Sequence, residues 1–325
     1  MIMAESGARL SYGELDERST RLAHVLREAG AKPGDVVALL TDNSIHAHEV
    51  YWATVRSGMY LTAVNNHLTA DEVCYILDDS AATALVVSAA LHELAREVGR
   101  RIPGVSIRSA YGGRVVGFED HESVLAAASA APLTDQPCGA DLLYSSGTTG
   151  RPKGIEPRLP DRGVDEPGDS LVDLLENAYG LGRASAYLSP APFYHAAPLR
   201  YGAAVHALGG TVVMMERFAP EEALRAIERH GATHSQWVPT MFVRMLKLDE
   251  RVRSRYDLST HGVAFHAAAP CPRRGQARDD RLVGTDPVRV LRLHRRCRYD
   301  AHRLASVAGQ TGIGGHGRAR HGTDL

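Results

Sequence analysis

The stretch LLYSSGTTGRPKGIE, residues 142–156, carries the strongest signal in this chain of 325 residues. An apolar pair leads into small hydroxylated residues and glycines, and the run ends at Lys153. Glycines let backbone N–H groups crowd around an anion, because no Cβ blocks the approach. The hydroxyls and the lysine ammonium can add further hydrogen bonds to phosphate oxygens. The stretch predicts a strand over 142–145 followed by an anion-binding loop over 146–153.

Two familiar glycine motifs do not fit this run. Gly147 and Gly150 are only three residues apart, which is not the GxxxxGK[ST] spacing of P-loop NTPases. Ser146 does not lie in the GxSxG pattern of a hydrolase nucleophile elbow. Composition alone therefore leaves two interpretations open, a phosphate-binding loop and a glycine-rich surface turn.

The bulk composition excludes several classes of function. Hydrophobic residues make up 44% of the chain, enough for two domains or one large one, and the net charge of -1 gives no basic field for nucleic acid. No apolar run is long enough for a transmembrane segment, and the N-terminal residues do not resemble a signal peptide. Peripheral membrane association stays open. The four cysteines form no CxxC pair, so we expect free thiols in a reducing cytoplasm.

Strand-like and helix-like segments alternate along most of the chain. The apolar runs VVALL at 36–40, YLTAV at 60–64, ALVV at 84–87, AYLS at 186–189, TVVMM at 211–215 and THSQWV at 233–238 are typical of buried strands. Ser11 with Glu14, and Thr69 with Glu72, have the capping-box spacing of helix starts. Repeated strand–helix units predict an α/β fold with mainly parallel sheets flanked by helices.

Several segments together resemble the adenylate-forming, or AMP-binding, superfamily, which includes acyl-CoA synthetases, luciferases and the adenylation domains of peptide synthetases. The run YSSGTTGRPKG is similar to its phosphate-binding signature, SPAPFYHAAPL to its aromatic–histidine motif, and HAAAPCP to the turn before its adenine pocket. The resemblance covers about residues 10–270, and bacterial fatty-acid–CoA ligases are the most similar subgroup. It implies the large N-terminal domain of the acyl-CoA synthetase fold.

The resemblance also implies a reaction in two steps. A carboxylate, expected to be a fatty acid, attacks the α-phosphate of ATP to give an acyl-adenylate, and the thiol of coenzyme A then displaces AMP. The residues implied in binding the β- and γ-phosphates are Ser145, Ser146, Gly147, Thr148, Thr149, Gly150 and Lys153. Ser145 is also the implied contact to Mg2+. No catalytic residue is assigned, because the mechanism needs positioning and charge neutralisation more than a protein nucleophile.

Two further segments are implied in the acyl and adenine pocket. His195 would lie at the boundary of the acyl pocket, and Ala267, Ala268 and Ala269 would line the acyl and adenine site. The alternatives are structural: His195 packs beside a helix start, and the alanines form an ordinary strand exit. His46 and His48 are two residues apart and diverge on a helix, so we expect no metal pair there.

The sequence changes character after Pro270. Residues 272–325 contain 12 arginines but no Lys, Glu, Phe, Trp or Met, which predicts a poorly ordered, aberrant tail. The family's Tyr-rich motif is missing from residues 283–296, yet codon degeneracy permits WGPILYEYYGSTEG there after a shift of one base. We therefore expect a frameshift between residues 271 and 283, domain boundaries at 1–270 and 271–325, and the absence of the family's small C-terminal domain.

Three functions remain open at this point. The first is an AMP-forming acyl-CoA ligase by descent, whose activity in this chain is absent or strongly impaired. The second is a non-catalytic remnant that binds nucleotide or acyl groups, or the product of a pseudogene. The third is an adenylation domain that loads a carrier protein instead of coenzyme A.

Overall fold

A computed structural model describes residues 1–145 and 151–266 of the chain. The first long helix, α1, spans Tyr12–Glu28 and begins with the predicted capping box. The Ser11 side chain accepts a hydrogen bond from the Glu14 N–H, and the Glu14 carboxylate accepts one from the Ser11 N–H. These reciprocal bonds satisfy backbone donors that a helix N-terminus otherwise leaves unpaired.

The other described helices follow the strands at short intervals. They are α2 at Ala47–Val55, α3 at Ala70–Asp79, α4 at His92–Gly99, α5 at His121–Ala127, α6 at Ser170–Tyr179, α7 at Ala196–Ala207, α8 at Pro220–His230, α9 at Pro239–Leu246 and α10 at Glu250–Arg253, with a 3-10 turn at Ala89–Leu91. Thr69 and Glu72 form the predicted capping box of α3. The pattern did not predict α6, which begins after the capping residue Asp169.

Most of the strands form two parallel sheets. The sequence pattern predicted parallel sheets but did not assign individual strands to one sheet or the other. The first sheet has the order β1-β11-β10-β12-β13. Its strands are β1 at Ile2–Met3, β10 at Ala186–Ser189, β11 at Thr211–Met214, β12 at His234–Trp237 and β13 at Val263–His266. Every pair in this sheet is parallel, so the carboxyl ends of its strands lie along one edge.

The second sheet has the order β6-β5-β4-β2-β3-β7 and is also parallel throughout. Its strands are β2 at Val36–Leu40, β3 at Tyr60–Val64, β4 at Ala82–Ser88, β5 at Ile107–Tyr111, β6 at Glu119–Asp120 and β7 at Ala140–Asp141. Both β2 and β3 are fully buried along their length, as expected for central strands covered on both faces.

One apolar core joins the two sheets. It includes Leu39 of β2, Leu61 of β3 and Val50 of α2, together with Tyr187 of β10 and Leu199 of α7. All five side chains are buried. Because side chains from both sheets pack into the same cluster, burial of apolar surface holds the sheets together.

A short antiparallel hairpin departs from the parallel pattern. It consists of β8 at Leu143–Ser145 and β9 at Lys153–Ile155, and it follows directly from β7 of the second sheet. The residues between its strands are the glycine-rich stretch of the sequence. The fold therefore presents that stretch at the end of a hairpin.

Candidate functional site

The hairpin brings together the two ends of the glycine-rich loop. Ser145, the last residue of β8, pairs in register with Lys153, the first residue of β9. Both residues are exposed to solvent. Directly paired residues of antiparallel strands point to the same face, with Cβ atoms about 4.5–5.5 Å apart. A hydroxyl and an ammonium thus lie side by side at the mouth of the loop, an arrangement that can bind an anion.

The structure tests only part of the predicted phosphate site. Ser146, Gly147, Thr148, Thr149 and Gly150 lie outside the described residues, so their roles stay predictions. Lys153 belongs to a strand, so the loop ends one residue earlier than predicted. The reason is the three-residue ladder between β8 and β9, because cross-strand pairing overrides the turn signal of the neighbouring Pro and Gly residues.

His195 lies between the end of β10 and the start of α7, and its place at the boundary of the acyl pocket stays a prediction. Its ring centroid is 4.5 Å from that of Tyr194, and the side chain reaches solvent. Desolvation by surrounding protein atoms lowers the pKa of His195 and so favours the neutral ring. An uncharged imidazole ring is suited to the boundary of a pocket for an acyl group, because it can contact apolar atoms without the cost of burying a charge.

Strand β13 leads to the third predicted part of the site. It pairs with β12, and β12 pairs with β10, in parallel throughout. The carboxyl end of β13 therefore lies on the same sheet edge as the end of β10, which leads to His195. Residues 267–269, the three alanines of the predicted pocket, follow β13 directly and lie outside the described residues. Ligands of open parallel sheets bind at this kind of edge.

A buried asparagine that the sequence analysis missed holds three loops together at these edges. Asn43 follows β2, and its Nδ2 donates to the backbone oxygens of Ala191, at 3.1 Å, and Met215, at 2.7 Å. Its Oδ1 accepts a hydrogen bond of 2.8 Å from the Phe193 N–H. The side chain thus fixes the segment that carries His195 against the second sheet. An amide three residues after the apolar run VVALL was the available signal.

A second contact links α7, the helix that follows His195, to β7, the strand that leads into the hairpin. Arg200 of α7 donates to both carboxylate oxygens of Asp141 on β7, from Nε to Oδ1 at 3.1 Å and to Oδ2 at 3.0 Å, and from Nη2 to Oδ2 at 2.8 Å. Asp141 lies two residues before the start of β8. The bidentate pair is half-buried and is therefore less screened than an exposed ion pair. It fixes the relative positions of the segments predicted to bind phosphate and acid.

A serine, a histidine and a glutamate elsewhere have the connectivity of a hydrolase triad. The Ser109 Oγ is 2.9 Å from His121 Nδ1, and His121 Nε2 is 2.7 Å from Glu49 Oε1. All three side chains are buried, with Ser109 at 2% exposure and the other two at 0%. A nucleophile must reach its substrate, so this buried cluster stabilises the fold and has no catalytic role.

Neither a cluster of metal ligands nor a membrane-spanning helix is present among the described residues. Within residues 1–145 and 151–266, no group of three or more histidine, cysteine or acidic side chains is arranged to hold a metal ion. His46, which precedes α2, contacts Glu49, and His48 of α2 contacts Phe193. In the same part of the chain, every helix is too short or too polar to cross a membrane.

The model of the AMP-binding enzyme family matches residues 1–290 of the chain. The chain belongs to this family. The match confirms the resemblance to the AMP-binding superfamily and runs past residue 270. The predicted boundary at that residue stays a prediction.

Two relatives of the chain are ligases by name. A 4-coumarate–CoA ligase from Oryza sativa subsp. japonica is 31% identical over 284 residues, which cover 83% of this chain and 49% of the relative. A fatty acid–[acyl-carrier-protein] ligase from Streptomyces coeruleorubidus is 32% identical over 252 residues, covering 74% and 45%. The chain spans about half the length of these relatives.

A solved structure confirms the fold. The luciferase from Phrixothrix hirtus superposes on 90% of this chain and 55% of its own, with a TM-score of 0.73 and 21% identity. The predicted α/β architecture with parallel sheets and flanking helices is therefore correct. The chain therefore belongs to an enzyme family, and the two relatives are by name a CoA ligase and a fatty acid–[acyl-carrier-protein] ligase.

Proposed function

We propose that this chain binds ATP through the loop of the β8–β9 hairpin and activates a carboxylic acid as an acyl-adenylate. The observation that carries the proposal is the pairing of Ser145 with Lys153 across the mouth of the loop. Their side chains combine a hydroxyl donor with a positive charge beside a run of glycines, which is the chemistry that binds phosphates.

Each part of the site has a separate task in this proposal. Lys153 binds the β- or γ-phosphate as a point charge, and backbone N–H groups of residues 146–150 surround the same oxygens. His195 bounds the acid, and Ala267–Ala269 line the adenine and acyl pocket. Asn43 and the Arg200–Asp141 pair keep these segments in register, so that the carboxylate can approach the α-phosphate in line.

Magnesium and coenzyme A complete the proposed reaction. The exposed hydroxyl of Ser145 is an oxygen ligand of the type that Mg2+ accepts, and phosphates and water would supply most of the others. When bound, Mg2+ neutralises phosphate charge. Coenzyme A is the proposed acceptor, and its thiol displaces AMP from the acyl-adenylate.

The proposed acid is a fatty acid, with a carrier protein as the second candidate acceptor. The names of relatives include a coumarate–CoA ligase and a fatty acid–[acyl-carrier-protein] ligase, so they support a carboxylic acid more broadly than a fatty acid. Supplying the chain with a synthetic fatty acyl-adenylate, and then with either coenzyme A or a phosphopantetheinylated carrier protein, distinguishes the acceptors by which thioester forms.

We also propose that turnover by this chain is strongly impaired. Residues 283–296 lack the Tyr-rich motif that the family resemblance predicts to stack on adenine and to supply a carboxylate for Mg2+. Loss of one electrostatic contact to a transition state typically costs about 3–4 kcal/mol. Sequencing the gene around codons 270–300 tests the cause: the shifted frame should contain the Tyr-rich motif, and a shifted frame without it contradicts the frameshift.

Cytoplasmic location and peripheral membrane association are also proposals.

Calorimetric titration with ATP and Mg2+ tests the binding step. We expect Lys153→Ala to weaken ATP binding by about 10- to 150-fold, because a charge-assisted contact is worth about 1.5–3 kcal/mol. The matched control is Lys247→Ala, since Lys247 is also an exposed lysine and lies at the end of α9, outside the hairpin. Equal ATP affinities of the Lys153 and Lys247 variants would contradict the assignment of the loop.

A further inference from the structure

The two ends of the glycine-rich loop are attached to the same helix. Tyr144 precedes Ser145 on β8, and Arg151 follows the undescribed residues 146–150. Tyr144 contacts Asp79 of α3, and Arg151 contacts Tyr75 of α3. Since Tyr75 and Asp79 are four residues apart, they lie next to each other on one helix face.

The first attachment is a hydrogen bond from a phenol to a carboxylate. The Tyr144 Oη donates to Asp79 Oδ2 at 2.7 Å. Burial, reinforced by the Asp79 carboxylate, raises the pKa of Tyr144 well above its ordinary value, so the phenol retains its proton. Bonds with a charged acceptor are stronger than neutral ones.

The second attachment is a contact between a guanidinium and an aromatic face. The Arg151 Cζ lies 5.1 Å from the centre of the Tyr75 ring, within the range of cation–π attraction. The Tyr75 Oη donates to the other oxygen of Asp79 at 3.3 Å. Asp79 therefore orients the ring that receives Arg151 and also accepts the bond from Tyr144.

A glycine in the second hairpin strand makes the first attachment sterically feasible. Gly154 pairs with Tyr144 across the hairpin. A Cβ at Gly154 would lie 2.9 Å from the Tyr144 Cζ and 3.1 Å from its hydroxyl oxygen. Such distances force the ring to move, and the ring is what delivers the hydroxyl to Asp79. Gly154 thus allows the Tyr144 side chain to lie across β9 and reach α3.

We propose that Tyr75 and Asp79 of α3, here called the α3 anchor, hold Tyr144 and Arg151 at the two ends of the glycine-rich loop and thereby position Ser145 and Lys153 for binding phosphate. Tyr75, Asp79 and Tyr144 are positioning residues in this proposal, and Gly154 provides the space that the contact needs. The proposal rests on the proposed ATP binding for its effect on affinity, whereas the anchoring itself is independent of any ligand.

Limited trypsin digestion without nucleotide tests the anchoring. The bond after Arg151 precedes proline and resists trypsin, so the bond between Lys153 and Gly154 reports on the hairpin. We expect Tyr144→Phe, the double variant Tyr75→Leu/Arg151→Leu, and Gly154→Ala each to accelerate cleavage at this bond, measured by mass spectrometry of the peptides. Tyr144→Phe keeps the ring and its packing, so it tests the hydrogen bond without a risk to folding.

Two remote contacts provide matched controls. The Tyr256 Oη also donates to a carboxylate oxygen, that of Glu221, at 2.7 Å. The Arg244 Cζ lies 4.8 Å from the centre of the Phe218 ring. Tyr256→Phe and Arg244→Leu remove the same kinds of interaction far from the hairpin, and we expect both to leave the cleavage rate at the Lys153 bond unchanged.

Calorimetry with ATP and Mg2+ then tests the effect on binding. We expect Tyr144→Phe to weaken ATP binding by about three- to tenfold, the value of one hydrogen bond, with less than a twofold change in Tyr256→Phe. Equal cleavage rates in anchor and control variants would overturn the anchoring. Faster cleavage with unchanged ATP affinity would overturn its role in phosphate binding. Faster cleavage in the anchor variants, together with no ATP binding by the wild-type chain, would support the anchoring and contradict the proposed function.

Discussion

The buried cluster around Glu49 and the exposed hairpin around Lys153 are built from similar polar groups but differ in their access to water. In the cluster, Glu49 accepts hydrogen bonds from His121, at 2.7 Å, and from Arg18, at 2.6 Å. In the hairpin, Ser145 and Lys153 are exposed. The polar groups of the cluster form hydrogen bonds with one another, whereas the exposed polar groups of the hairpin are accessible to a ligand. Solvent access, more than residue type, distinguishes a structural group from a binding group here.

The largest expected effect is the loss of stability when Glu49 is removed. Burial opposes the charge of Glu49, but hydrogen bonds from His121 and His46 and the charge of Arg18 outweigh it and hold its pKa well below the ordinary value. Glu49→Ala leaves Arg18 and His121 without their buried partner. We expect the free energy of unfolding to fall by about 3–5 kcal/mol in urea titrations near pH 7.

The control for this prediction is another partner of Arg18. Glu122 also binds the Arg18 guanidinium, at 2.6 Å, but its side chain is 55% exposed. We expect Glu122→Ala to cost about 1 kcal/mol or less, because solvent screens exposed ion pairs. If the alanine variant does not fold, Glu49→Gln replaces it in the test, because glutamine keeps the shape of the side chain and removes its charge. A similar cost for the Glu49 and Glu122 variants would remove the distinction between the cluster and the surface.

The next effect is a loss of stability in mild acid that arises from buried histidines. Burial lowers the pKa of both His48 and His261 to about 3, against an ordinary value of 6.5. Below about pH 6.5 the unfolded chain takes up a proton at each histidine that the folded chain takes up only near pH 3. Stability is therefore lost as the pH falls through this window, by up to about 1.4 kcal/mol per pH unit for each histidine.

Urea titrations at a series of pH values measure this slope. We expect His48→Leu to reduce the slope by about 1.4 kcal/mol per pH unit below pH 6, whatever its effect on stability at neutral pH. The hairpin variant Lys153→Ala should keep the full slope. An unchanged slope in His48→Leu would show that His48 takes up its proton in the folded state as easily as in the unfolded state.

The smallest expected effect is on the stability of the hairpin variant itself. Lys153 is exposed, so Lys153→Ala should change the free energy of unfolding by no more than about 0.5 kcal/mol, measured as above. The same substitution is expected to weaken ATP binding, which would separate binding from stability at one residue. A loss of stability as large as that of Glu49→Ala would show that the hairpin serves the fold.

Local sequence signals predicted individual elements well. The strands at 36–40, 60–64 and 186–189 have the predicted bounds, and both capping boxes are present. Met214 and Met215 are fully buried, as expected for a strand core. These features depend on neighbours within a few residues, so the local pattern contains the information that determines them.

Features that depend on distant residues were not predictable in this way. The local pattern does not divide the strands between two sheets, because β1 pairs with β11 more than 200 residues later. Asn43 was missed because its partners, Phe193 and Met215, come from loops far along the chain. In the candidate site, the motif predicted Ser145 and Lys153 but not their direct pairing, which the ladder between β8 and β9 produces.

The pairing of β1 with β11 has a consequence for the order of folding during synthesis. Ile2 and Met3 are synthesised about 210 residues before their partners, Val213 and Met214. At about 5–20 residues per second, the first strand waits roughly 10–40 s for its neighbour. The second sheet, whose strands lie between residues 36 and 141, can form within that interval. The sheet that contains the N-terminal strand is therefore the later of the two to be completed.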